Sequence, residues 1–179
     1  MICHKIITLA AFVTAPLLCE TVPNDLKLKV ESKAKLLLAW STDPTIVAAV
    51  KAHNASLSAA EQAMTNEKWK GLTQLDPFVR SYSKNEVGLY IKSRKDETIS
   101  EAFVSGADGT KVAFLAKTTS WSHKGRDKHQ IPMSGKTWYG PMEVDESSGT
   151  QQIQVGIPVL DGGKPIGSIV IGLSVAKLR

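Results

Sequence analysis

Thiols are almost absent from this chain. Of 179 residues only two are cysteine, Cys3 and Cys19, and both lie near the N-terminus. The rest has no cysteine to serve as nucleophile, as zinc ligand or as a C-x-x-C-H haem attachment point, and no disulfide framework. An oxidising compartment permits disulfides without requiring them. Nucleophile-elbow (G-x-S-x-G) and phosphate-loop (G-x-x-x-x-G-K-S/T) signatures are also missing. No internal repeat or low-complexity stretch is visible. Long hydrophobic runs are lacking too. The longest uncharged apolar stretch, Ile6 to Leu18, has thirteen residues. That is short for a bilayer span and matches the apolar core of a secretory leader, with Lys5 as its positive start. Residues 1–19 are therefore predicted to be a secretory signal segment, cut after Cys19. Lipidation of Cys19 is an alternative, opposed by the bulk of Leu18, and a short buried helix is another. No second apolar span follows Val175, so the expectation is one free-standing domain over residues 20–179. Export predicts a periplasmic or extracellular location.

The net charge of +5 is concentrated. Residues 111–140 hold six Lys/Arg against one Asp, along with His123 and His129, whereas charges nearly cancel elsewhere. Such a stretch is usually a solvated loop. It is also what a site for an anion requires.

Helical signals fill residues 25–95. Leu26, Val30, Ala34, Leu37 and Leu38 form one stripe, with lysines and Glu31 on the other side. Asp43-Pro44 is a cap followed by a proline in the first turn. Ser58 and Glu61 form a capping box that opens a third helix, predicted to run to Lys70 and stop at Gly71. Asp76-Pro77 repeats the start signal for a fourth helix carrying Phe78, Val79, Tyr82, Leu89 and Tyr90. The period then changes. Ala102–Val104 and Val112–Leu115 flank the Gly/Asp turn at 106–109, which predicts a hairpin. Residues 117–137 read as irregular. Three more strands follow in WYGPMEV, TQQIQVGIPVL and KPIGSIVIGLSV, joined by DESSG and DGG. Helices first and strands from about 100 to 176 predict an α+β domain.

The first hairpin with its D-G turn and following aromatic-bearing loop, the aromatic-glycine strand ending in an acidic turn, and the pair V-x-I-P-V-x-D-G-G-K-x-I-G-S-I-V occur in order over residues 75–176. Together they resemble the Cache family of extracytoplasmic sensor domains (PDC sensors), relatives of PAS domains. The resemblance implies a PAS-like antiparallel sheet with a long N-terminal helical region packed on it. It also implies a ligand held between that sheet and its covering loops, and a role in signal transduction. Carried onto this chain, the pocket positions are Lys117, Thr118, Thr119, Ser120, Trp121, His123, Lys128, His129, Trp138, Tyr139 and Asp145.

The chemistry of these side chains is coherent. Lys117 and Lys128 offer ammonium donors, and Thr118, Thr119 and Ser120 offer hydroxyls. Such groups hold a carboxylate or phosphate through charge-assisted hydrogen bonds. Trp121, Trp138 and Tyr139 are expected as flat walls, and Asp145 as the partner of a ligand ammonium group. Trp138 reads almost equally as core packing, and Asp145 as a turn residue. The function expected is binding of an anionic or zwitterionic metabolite without catalysis and without a cofactor. The alternatives are a metal-dependent hydrolase using His123, Asp127 and His129, and a partner-docking module. The five-residue His spacing is not that of a helical zinc motif, and the surrounding lysines oppose a divalent cation. The partners expected are the small ligand and a membrane receptor or transporter, with homodimerisation through the N-terminal helix left open. Nucleic acid is not expected, although lysines beside tryptophans suit single strands, because an exported domain rarely meets it.

Overall fold

The computed structural model describes residues 22–145 and 149–178. The predicted leader, both cysteines, and Glu146 of the acidic turn lie outside the described residues.

The chain opens with α1 (Asn24–Leu37), whose buried residues are Leu26, Val30, Ala34 and Leu37. These recur every three or four positions and so line one side of the helix. A 3-10 segment (Leu38–Thr42) leads into α2 (Pro44–Ala55). The Asp43 carboxylate accepts from the Thr45 and Ile46 amides and so starts α2. Two predicted helices are each split. The capping box at Ser58 and Glu61 is formed, but α3 (Ala59–Gln62) stops and α4 (Asn66–Gly71) begins anew, because the Thr65 hydroxyl accepts from the Lys68 amide. Likewise α5 (Pro77–Lys84) gives way to α6 (Glu86–Arg94) at Asn85. The Asn85 side chain accepts from the Gly88 amide and donates to the Val112 carbonyl, which ties the break to the sheet.

Five strands follow: β1 (Ile99–Gly106), β2 (Lys111–Phe114), β3 (Trp138–Val144), β4 (Gln151–Asp161) and β5 (Lys164–Ser174). All pair antiparallel, in the order β2-β1-β5-β4-β3. The segment between β2 and β3 is not wholly irregular. It contains α7 (Asp127–Met133), with Pro132 inside it. A final turn, α8 (Val175–Leu178), ends the described chain.

Side chains alternate across a strand, and the sheet has two unlike faces. Ala102, Val104, Ile153, Val155, Ile157, Val159, Ile169, Ile171 and Leu173 form one face, buried with α1, α2 and α6 in a largely aliphatic core that also takes in Trp40. Each buried Val, Ile or Leu among them contributes about 1.5–3 kcal/mol. The opposite face begins with an aromatic cluster of Trp69, Tyr82, Phe103, Phe114 and Trp121 around Val79 and Val170. The remainder of that face is polar.

Candidate functional site

On the polar face, Glu101 and Phe103 of β1 and Gln152 and Gln154 of β4 form a floor. The loop after β2 contributes Lys117, Thr118, Thr119 and His123, α7 contributes Lys128, and the end of β3 contributes Glu143, Val144 and Asp145. They enclose a cavity of about 270 Å³. Its walls are held by hydrogen bonds between elements. The Lys128 ammonium donates to Gln154 Oε1 at 2.6 Å, and Gln154 Nε2 donates to the Glu101 carboxylate at 2.7 Å. Ser100 donates to Gln152 Oε1 at 2.6 Å. The Lys117 ammonium lies 5.0 Å from the centre of the Trp69 ring, a cation–π approach.

Burial dominates the electrostatics. It pushes the Glu101 carboxyl above its ordinary range, against the pull of Gln154 and Lys128. It lowers the Lys117 ammonium. Beneath the cavity lies Lys111, fully buried. Its Nζ is 2.6 Å from His123 Nδ1, 3.4 Å from Ser105 Oγ and 4.4 Å from the centre of the Phe103 ring. Desolvation lowers this ammonium to about 7. His123 stacks on Phe103 at 4.8 Å. Burial and then the neighbouring Lys111 push its imidazole down to about 2.

Six of the eleven residues expected at the pocket line this cavity: Lys117, Thr118, Thr119, His123, Lys128 and Asp145. The other five do not. Trp121 is 2 % exposed and packs among Trp69, Phe78 and Tyr82 at 5.3–5.8 Å, so it is core and not a ligand wall. Ser120 turns its carbonyl to the Thr118 hydroxyl. His129 is buried and engaged by Ser168 Oγ at 2.7 Å and the Ala107 carbonyl at 3.3 Å. Trp138 stands over Gly140 and beside Gly156. Tyr139 faces α1, beside Val30 and Glu31.

The hydrolase alternative loses its geometry. Both nitrogens of His129 have partners, and Asp127 is exposed at the start of α7. Among the described residues no three His, Cys, Asp or Glu side chains gather as a metal site would require.

Sequence reasoning missed Glu101, Phe103, Glu143, Val144, Gln152 and Gln154. The signal was present in β4, where Gln152 and Gln154 alternate with Ile153 and Val155. A strand that places polar amides at every second position opposite a buried aliphatic row is presenting them to something.

No family model and no curated protein matches the chain. Among solved structures it is similar to the sensor domain of the histidine kinase DctB of V. cholerae, with a TM-score of 0.49, 15% identity, and coverage of 86% of this chain and 53% of that one. The ligand-binding domain of the Pseudomonas aeruginosa PAO1 amino acid chemoreceptor PctC, in complex with GABA, has a TM-score of 0.43, 14% identity, and coverage of 86% and 57%. The E. coli DcuS sensor domain has a TM-score of 0.37, 15% identity, and coverage of 68% and 96%. The chain spans about half the length of the first two. Its own architecture is the α+β form expected for a Cache-like domain, a five-stranded antiparallel sheet with a long N-terminal helix packed on the face away from the cavity.

Proposed function

We propose that this chain is a sensor-type binding domain for a small anionic or zwitterionic metabolite, such as a carboxylate or an amino acid, which it holds without altering. One observation carries the reading: one small cavity on the sheet brings together ammonium donors (Lys117, Lys128), the Thr119 hydroxyl and carboxylates (Glu101, Glu143, Asp145), while the Thr118 hydroxyl is engaged by the Ser120 carbonyl. Cations and a hydroxyl on one loop and helix suit a ligand carboxylate, and Glu143 of β3 and Asp145 just beyond its end suit an ammonium group. The similar structures support the choice of class, since PctC was solved with GABA. The N-terminal apolar segment supports export. No helix of the described residues is long and apolar enough to cross a membrane.

The test is a thermal-shift screen of the purified chain against carboxylates, amino acids and phosphates. A rise in Tm with one class, lost in Lys117→Ala, is the expected result. Silence across all three classes overturns the reading. A response unchanged in Lys117→Ala and in Lys128→Ala moves the ligand out of this cavity. Co-purification of a partner with no thermal response favours the docking-module alternative.

A further inference from the structure

A fully buried lysine beneath a ligand cavity is costly, and it calls for a reason. Lys111 offers three N–H donors and, while protonated, no acceptor. Its Nζ lies 2.6 Å from His123 Nδ1, so while Lys111 is protonated this nitrogen is the acceptor and a neutral ring carries its proton on Nε2. Among the described residues His123 Nε2 has no hydrogen-bond partner, and the ring borders the cavity. Stacking on Phe103 fixes the plane of the ring.

We propose that Lys111 is a positioning residue: its ammonium locks His123 in the Nε2–H tautomer, so that the cavity presents a neutral donor at this point and takes an oxygen acceptor of the ligand there. A carboxylate, phosphate or carbonyl oxygen satisfies that donor, whereas a ligand ammonium group placed there would leave two donors facing each other. The lock is selective by polarity and adds no third cation to those of Lys117 and Lys128. This inference rests on the reading of the cavity as a ligand site.

The charged and titratable groups around Lys111 agree with a protonated amine in mildly acidic solution. Glu101 of β1 and Asp108 of the β1–β2 turn favour its charge, and Lys128 of α7 opposes it; the buried His129 of the same helix is depressed and stays neutral beside it. Burial leaves it titrating at about 7 and keeps the His123 ring neutral far below that. At pH 6 the lock is therefore engaged.

The test is the nitrogen-15 spectrum of the histidine side chains in the full chain at pH 6. His123 is expected as a neutral ring with the proton on Nε2. An Nδ1–H form, or an imidazolium, overturns the proposal. In Lys111→Met the single tautomer is expected to give way to a mixture; an unchanged pure Nε2–H form in that variant also overturns it. Should Lys111→Met fail to fold, the wild-type spectrum still decides. Adding formate, a minimal carboxylate, is expected to move the Nε2–H resonance of the wild type. A locked tautomer that ignores formate and accompanies a silent thermal-shift screen removes the ligand reading and leaves the lock. A wrong tautomer with a positive screen does the reverse.

Discussion

One sheet carries two chemistries. On the side of α1 and α2, Val155, Ile157, Ile169 and Ile171 are sealed from water in a core that is aliphatic apart from Trp40 and Tyr90 at its edge. On the other side the same strands present Glu101, Ser105, Gln152, Gln154 and Ser168, with Lys111 and His123 nearby, all joined by hydrogen bonds. The aliphatic face provides stability with no directional demand. The polar face holds groups that cost free energy to bury and are tolerated only while each finds a partner. A cavity belongs on the second face, because there a guest can replace water as a partner.

The contrast can be broken most forcefully from the dry side. Ile157→Ala and Ile171→Ala should each cost about 2–5 kcal/mol, read as a lower urea midpoint, with no change in the pH dependence of stability. A loss below 1 kcal/mol at both positions would show that this face is not the principal core. The wet side should show the next effect. Lys111 titrates at about 7 in the fold and near 10.4 in an unfolded chain. Between those values the unfolded chain binds more protons, so stability rises as pH increases from about 7 towards about 10.4. That slope should disappear in Lys111→Met, and its persistence would assign it to another group. His123 and His129, both depressed by burial, act in the acid range. Their contribution is complete above about 6.5 and is lost as pH falls through their folded values. The smallest effect concerns the aromatic cluster at the end of the wet face. The Trp121 indole N–H is buried without a hydrogen-bond partner, so Trp121→Phe removes an unpaired donor along with some packing. Its stability should stay within about 1.5 kcal/mol of the parent. A larger loss would mean that the indole has a partner in solution.

These faces differ in how plainly the sequence announces them. The strands and their turns were legible, because alternation and the D-G and D-G-G turns act locally. The caps at Asp43, Ser58 and Asp76 were legible for the same reason. Thr65 and Asn85 were not read as breaks, since each sits inside an otherwise helical pattern and its capping bond competes with continuation. The α7 helix was hidden by Pro132 and the flanking glycines. At the site, the charged loop pointed to Lys117, His123 and Lys128, but the floor at Glu101, Gln152 and Gln154 depends on how strands pair across the sheet. Trp121 was misplaced for a related reason. Its partners Trp69, Phe78 and Tyr82 come from helices about 40–50 residues earlier in the chain, and nothing local reveals that they converge.

The position of Lys117 over Trp69 has a practical outcome. An ammonium close to an indole alters its excited state, and a guest that draws this side chain towards its own negative charge changes the emitted light. Under the proposed function, Trp69 emission is therefore expected to report occupancy of the cavity without dye or label.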